Sequence, residues 1–183
     1  MKRFAFLVSR VFEPEVLMSI LILDWIVVLR PPFIVGSSWV LGVLVVIGFT
    51  FWSLKTGRIS DIELSKKSER IPVLTVSFAV ALGILLITYS FGAALLVRYT
   101  ALLIIWLLLF GIITKFWKIS GHTSVATLVF SFIYQVHGGY TLGLFSLILL
   151  IAWARVYQKN HTVSQVCAGI ALSFTVAGIF LLY

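Results

Sequence analysis

The chain has 183 residues, of which 61% are hydrophobic and only 11% are charged. Because a soluble domain carries about 25% charged residues, this composition excludes an ordinary soluble protein and indicates an integral membrane protein. The net charge of +8 is not spread over a continuous polar surface, which favours a membrane with anionic lipid headgroups over nucleic acid as the partner.

Seven hydrophobic segments follow one another along the chain, and each predicts a helix. A helix needs about 20 apolar residues to span a bilayer, with a lower limit near 17. The segments cover residues 15–30, 34–54, 72–91, 93–114, 121–136, 140–153 and 162–183. Prolines mark segment ends, and Pro72 is expected in the first turn of the third helix. We therefore expect an all-α fold, a single domain over residues 1–183 that is a polytopic membrane helix bundle of six to seven transmembrane helices.

The connections between the segments alternate in charge. Those near residues 30–32, 92 and 137–139 are short and almost uncharged. Twelve of the fourteen cations lie in the other breaks: Lys2, Arg3, Arg10, Lys55, Arg58, Lys66, Lys67, Arg70, Lys115, Lys118, Arg155 and Lys159. The alternation places these breaks at one side of a multi-pass cell-membrane protein, and the positive-inside rule makes that side cytoplasmic. A phosphate site enriches cations in the same way, so the opposite orientation stays open.

The string Ser120-Gly121-His122 stands just before the fifth segment. Serine is a good helix N-cap, and glycine lets a ligand approach the backbone. The N-terminus of the helix then presents free N–H groups to an anion, with His122 beside it. An ordinary cap with a histidine at the membrane interface explains the same string.

A second string contains Arg155, His161 and Gln165. The last two are four residues apart and share one face of a helix. A glutamine carbonyl accepts a hydrogen bond from one imidazole nitrogen and leaves the other nitrogen free to react. Arg155 offers a planar fork for phosphate oxygens. A basic loop that touches lipid headgroups is the alternative interpretation.

Together the two strings resemble the second and third signatures of the type 2 phosphatidic acid phosphatase family, Ser-Gly-His and Arg-x5-His-x3-Asp. The two histidines are 39 residues apart in the chain, and Gln165 stands where the family has aspartate. An aspartate would stabilise the imidazolium form of the histidine, which a neutral amide cannot do. Asp61 or Glu63 would supply that charge if their loop folds over the site. The matching positions are Ser120, Gly121, His122, Arg155 and His161.

The family's first signature, Lys-x6-Arg-Pro, has only a degenerate counterpart in residues 55–72. If Arg70 is the arginine, no proline follows it directly, and Glu63 stands in the lysine position. Lys66 or Lys67 is then the remaining source of an ammonium group. Two hydrophobic segments separate each signature region from the next, so the chain returns to the same side of the membrane each time. We therefore expect all three regions to meet in one pocket.

The resemblance implies a role for each matched residue. His161 is the nucleophile that takes the phosphoryl group, and His122 is the acid that protonates the leaving lipid alkoxide. Gln165 orients His161. The resemblance implies no metal or other cofactor. The groups expected to hold the phosphate oxygens are Arg155, Ser120, Gly121, Arg70, Lys67 and Lys66.

The sequence therefore predicts a metal-independent membrane lipid phosphatase that forms a phosphohistidine intermediate. Its substrate is a phosphorylated lipid: a polyprenyl diphosphate, phosphatidic acid or phosphatidylglycerol phosphate. Gln165 and the degenerate first signature favour a non-catalytic lipid-phosphate-binding protein instead. Asp24, a carboxylate in the middle of the first segment, and the seventh segment favour a transport or structural membrane protein.

Overall fold

The computed structural model describes residues 1–179, and this part of the chain contains helices and no strands. The all-α prediction is therefore confirmed for these residues. A short 3-10 turn, Gly139–Thr141, precedes the seventh helix. In chain order the helices are α1 (Lys2–Val11), α2 (Pro14–Leu29), α3 (Phe33–Lys55), α4 (Lys67–Ser90), α5 (Ala94–Phe116), α6 (Gly121–His137), α7 (Leu144–Tyr157) and α8 (Val163–Ile179).

Four helical stretches are long and apolar enough to cross a membrane: α3, α4, α5 and the stretch Gly139–Tyr157 that contains α7. This confirms a helical membrane protein. The described parts of α2, α6 and α8 have 16, 17 and 17 residues. At 1.5 Å per residue they extend about 24–26 Å, which is shorter than the ~30 Å hydrocarbon core. Length thus supports four spans, and the predicted six to seven depend on these shorter helices. Residues 180–183 of the seventh predicted segment lie outside the described residues.

One helix was not predicted, and two differ from their predicted segments by four or five residues at an end: α4, and α7, which covers Leu144–Tyr157 against the predicted 140–153. The prediction missed α1, because its apolar positions are interrupted by cations and the stretch is too short to span. The third predicted helix began at Pro72, but α4 begins at Lys67, so Pro72 lies inside the helix. A proline there leaves a single carbonyl, that of Ser68, without its intrahelical donor, which a helix tolerates near its start.

The helices divide into two compact units. One comprises Met1–Asp24 and the chain from Lys118 onward, and the other comprises Trp25–Trp117. The first unit therefore holds α1, α6, α7, α8 and the first part of α2. The predicted single domain over residues 1–183 stays a prediction.

In the first unit, α6 is the most enclosed helix, because every residue from His122 to Phe132 is buried. A helix that is buried on all sides carries apolar or hydrogen-bonded residues all round. Small side chains let α8 approach it closely. The hydroxyl of Ser173 donates to the Ser124 carbonyl at 2.7 Å, and the two hydroxyl oxygens are 2.8 Å apart. Small residues and interhelical hydrogen bonds of this kind join helices within membranes.

Candidate functional site

The string Ser120-Gly121-His122 forms the beginning of α6. Ser120 is the N-cap with extended backbone, and its hydroxyl oxygen accepts from the Thr123 backbone N–H, the two atoms being 3.5 Å apart. The Ser120 backbone N–H donates in turn to the Gln165 carbonyl in α8 at 3.1 Å. The structure thus brings together the two strings that carry the histidines.

Gly169 of α8 allows this close approach. A Cβ atom at this position would lie 2.7 Å from the Ser120 carbonyl oxygen and 3.1 Å from the Thr123 hydroxyl. The first distance is shorter than the contacts that Cβ atoms make in proteins, and a backbone carbonyl cannot move aside as a flexible side chain can. The missing side chain of Gly169 therefore sets the distance between the start of α6 and α8.

Arg155 lies in the last turn of α7 and is only 2% exposed. The chain leaves this helix through a Schellman motif. Lys159 takes the left-handed conformation with φ 60°, its N–H donates to the Val156 carbonyl, and Asn160 N–H donates to the Arg155 carbonyl at 3.1 Å. His161 N–H reaches the same carbonyl at 3.4 Å. One turn therefore places His161 directly against the backbone of the buried arginine.

His161 lies just before α8, is 6% exposed and contacts Gln165 through its side chain. Its Nδ1 atom is 3.1 Å from Gln165 Oε1, and the Thr162 backbone N–H donates to the same oxygen at 3.2 Å. A backbone N–H can only donate, so the atom that it meets is the amide oxygen. This oxygen can only accept, so Nδ1 of the neutral imidazole carries the hydrogen and Nε2 is the unprotonated nitrogen.

Gln165 has a second role that the sequence prediction missed. Its backbone N–H donates to the Thr162 hydroxyl oxygen at 3.3 Å, while its side chain accepts from the Thr162 N–H. This reciprocal pair is a capping box, in which Thr162 is the N-cap of α8 and Gln165 is the third helical residue. The pattern Thr-x-x-Gln before an apolar run is the sequence signal that identifies it. The same oxygen atom therefore caps α8 and orients His161.

Two further polar residues of the site were also missed. With its amide oxygen turned toward the guanidinium, Asn160 accepts hydrogen bonds from both terminal nitrogens of Arg155, at 3.3 and 3.0 Å. The Nζ atom of Lys118 donates to the Asn160 carbonyl at 3.4 Å. Their nearness in sequence to His161 and Ser120 was the available signal. Asn160 thus orients the arginine, and Lys118 adds a positive charge beside the loop.

The first unit therefore contains three buried, basic or titratable side chains near these helix ends: His122, Arg155 and His161 are each less than 10% exposed. A buried polar group is costly unless its surroundings satisfy it. Such a group in an apolar membrane protein indicates a functional site more often than it would on a soluble surface.

The residues of the first signature lie in the other unit. The Arg70 side chain is buried, and its Nε donates to the Leu64 carbonyl at 2.9 Å. Lys67 Nζ donates to the Lys115 carbonyl at 2.8 Å, and Lys66 pairs with Glu69 at 3.2 Å. Their place beside the phosphate stays a prediction.

Asp61, considered above as a source of negative charge for His161, has partners within its own loop. One carboxylate oxygen accepts from the backbone N–H and the hydroxyl of Ser65, both at 3.1 Å, and the other accepts from the Ser60 hydroxyl at 3.4 Å. These bonds are those of a residue that stabilises a local turn.

Asp24, the carboxylate of α2, pairs with a histidine. Its Oδ1 atom is 2.8 Å from Nε2 of His137, at the C-terminal end of α6. This contact joins α2 to α6 within the first unit. The carboxylate therefore has a structural role between two helices, and Asp24 is weaker support for a transport protein.

Comparisons of the chain with protein-family models, curated proteins and solved structures found no match. The resemblance to the type 2 phosphatidic acid phosphatase family therefore stays a prediction from the two strings. Within residues 1–179, no three His, Cys, Asp or Glu side chains are grouped as ligands of a metal ion.

Proposed function

We propose that the protein is a lipid phosphatase of the cell membrane that needs no metal ion and works through a phosphohistidine. The observation that carries this proposal is the orientation of His161. Gln165 Oε1 accepts from both the Thr162 N–H and His161 Nδ1, which makes Nε2 the unprotonated nitrogen of this buried histidine, and an unprotonated nitrogen is the one that attacks phosphorus.

The reaction has two steps. In the first, Nε2 of His161 forms a bond to phosphorus while the bond from phosphorus to the lipid oxygen breaks, and His122 gives its proton to that oxygen. In the second, His122 takes a proton from water, the water oxygen attacks phosphorus, and the bond to Nε2 breaks. Inorganic phosphate leaves, and both histidines return to their starting states.

Arg155 supplies the charge that this transfer needs. Phosphoryl transfer depends mainly on positioning and on neutralising the equatorial oxygens. The guanidinium is a rigid, bidentate donor, and Asn160 at 3.0–3.3 Å holds its plane. Ser120 and the backbone of Gly121 add the N-terminus of α6, where N–H groups favour an anion.

The substrate class follows from the surroundings of the site. The buried site residues belong to a helical membrane protein, and α7, which carries Arg155, lies in a stretch that is long enough to span. A headgroup at the membrane interface reaches such a site more readily than a soluble ester does. We therefore assign a polyprenyl diphosphate, phosphatidic acid or phosphatidylglycerol phosphate as substrate, in a multi-pass protein of six to seven spans with the site on the cytoplasmic side.

Phosphate release from these three lipids by the purified protein tests the proposal. We expect release from at least one lipid, and we expect His161→Ala to lower the rate by about 10³-fold or more because it removes the nucleophile. His137→Ala is the matched control, since this histidine pairs with Asp24 and lies at the other end of α6.

Two results would contradict the proposal. Phosphate release by His161→Ala at a rate near that of the unchanged protein would show that His161 is not the nucleophile. Saturable binding of a lipid phosphate with no release at all would identify the non-catalytic binding protein, which the neutral amide of Gln165 favours.

A further inference from the structure

The N-terminal helix α1 has three sectors along its length. At 100° per residue, the residues fall into three sectors around the helix axis. The first sector faces the protein and is buried: Ala5, Val8 and Ser9. The second is apolar and about half exposed: Phe4, Leu7 and Val11. The third is exposed and holds the three cations Lys2, Arg3 and Arg10 together with Phe6, whose ring centroid lies 5.2 Å from the Arg10 guanidinium carbon.

This arrangement differs from that of a spanning helix and from that of a helix on a soluble surface. A spanning helix would not carry three cations in ten residues, and a soluble surface would not expose an apolar sector of this size. A helix with one apolar and one basic sector lies in the plane of a membrane interface. The residues from Lys2 to Val11 include no acidic side chain, and Arg10 pairs with Glu13 just beyond the helix.

The position of α1 on α7 agrees with that placement. Phe4 packs against Trp153 with ring centroids 5.9 Å apart, and Trp153 stacks on Tyr157 at 5.3 Å. These aromatic residues are at the C-terminal end of the stretch Gly139–Tyr157, which is long enough to span. Tryptophan and tyrosine at the end of a span mark the level of the membrane interface. The helix α1 therefore lies at that level.

The side chain of Gln158 joins α1 to the loop of the candidate site. The Nε2 atom of Gln158 donates to the Ala5 carbonyl at 3.0 Å and to the buried Ser9 hydroxyl at 2.6 Å. Gln158 stands at the end of α7, directly before the left-handed Lys159 of the Schellman motif. Any movement of α1 away from α7 therefore breaks bonds to the turn that positions His161.

We infer that α1 is an in-plane anchor that binds the anionic lipid surface, and that Gln158 transmits this binding to the loop 158–161. The partner is a bilayer with negatively charged headgroups, because the exposed cations Lys2 and Arg3 match that charge while Leu7 and its neighbours enter the acyl region. The binding of α1 to the lipid surface and the ordering of the loop 158–161 do not depend on whether the site is catalytic.

Fluorescence quenching in nanodiscs tests the binding. The exposed Cys167 is replaced by serine, Leu7→Cys carries an environment-sensitive dye, and the lipids have brominated acyl chains. We expect quenching in phosphatidylcholine and at least twofold more with phosphatidylglycerol present. Lys2→Gln with Arg3→Gln should remove the increase. The dye at Tyr140→Cys, 89% exposed, is the control and should not respond to lipid charge.

Equal quenching of the Leu7→Cys dye in both lipids, or no quenching in either, would contradict the binding of α1 to an anionic lipid surface.

Hydrogen exchange of the peptide that contains Asn160 and His161 tests whether Gln158 transmits this binding to the loop. Its exchange should be at least threefold slower in the anionic nanodiscs, and Gln158→Ala should abolish the difference while Lys159→Gln keeps it. Exchange that is indifferent to lipid charge in the unchanged protein, or to Gln158→Ala, would overturn the connection.

Discussion

Gln165 is the position where the chain departs from the third signature of the phosphatase family that it resembles, and the capping box gives this departure a physical reason. The side chain must reach back to the Thr162 N–H, 3.2 Å from its oxygen, while also accepting from His161. Glutamine and glutamate have the length for this, whereas aspartate is one methylene shorter. The amide fixes the tautomer of His161 but brings no negative charge to its imidazolium form.

We predict that Gln165→Glu raises kcat by up to about tenfold, or ~1.4 kcal/mol in the barrier, because it keeps both hydrogen bonds and adds the charge. Gln165→Leu should lower kcat by about 10²-fold or more, since the wrong tautomer becomes available. Steady-state phosphate release measures both. Asp61→Asn is the control and should leave kcat unchanged, because its oxygens already serve Ser60 and Ser65. Equal rates for all three variants would mean that Gln165 does not orient the nucleophile.

Lys159 occupies the left-handed position of the Schellman motif, where glycine is usual. We predict that Lys159→Gly raises the free energy of unfolding by up to about 1 kcal/mol, because glycine removes the strain of a side chain at positive φ. Lys159→Val should lower it by about 1 kcal/mol or more, since a branched side chain fits this conformation worst. Reversible unfolding in mixed micelles measures the difference, and an inverted order of the two variants would contradict this account of the turn.

At the scale of the helix, the contact between α6 and α8 depends on Gly169. We predict that Gly169→Ala lowers the free energy of unfolding by about 1–3 kcal/mol, because its Cβ would lie 2.7 Å from the Ser120 carbonyl. Gly178→Ala in the same helix is the control. Nothing lies within 4 Å of its Cβ, so it should be neutral or stabilising by up to about 1 kcal/mol. Unfolding in mixed micelles compares them, and equal effects would show that the close approach is unimportant.

Most helices could be predicted from the sequence because the residue types at their ends determine where they begin and end. Proline, glycine and the change from apolar to charged residues fix the ends of α3, α5 and α6 to within about two residues. The prediction failed for α1, whose amphipathic character suits an interface, and for α4, which continues through Pro72. The contact between Gly169 and Ser120 joins residues 49 apart in sequence, and no local pattern in one chain specifies it.

For the candidate site, the same limit applies. The spacing of His161 and Gln165 predicted their shared face, since it follows from helix geometry. The role of Gln165 in the capping box of α8 could have been predicted from the pattern Thr162-x-x-Gln165, but the prediction did not include it. The bonds of Asn160 to Arg155 depend on the left-handed turn at Lys159, which residue type alone does not predict.

At the scale of the whole molecule, the positive-inside rule predicts that the site loop is cytoplasmic. In a Cys167→Ser background, we expect an impermeant thiol reagent on intact cells to label Tyr140→Cys and to leave Lys159→Cys unlabelled. The two positions flank α7 and are both exposed, so access depends on the side of the membrane. Labelling after cell lysis is the control for reactivity. The reverse pattern would place the site outside the cell.

We propose that His161 carries the phosphoryl group during the reaction, and this phosphohistidine can be trapped. The protein is mixed with a lipid phosphate labelled in the transferred phosphoryl group, quenched in alkali within milliseconds and mapped by peptide. We expect an acid-labile, alkali-stable phosphate on His161 that is absent in His161→Ala and retained in His137→Ala. Phosphate release without this label, or a label on a different residue, would contradict the proposal.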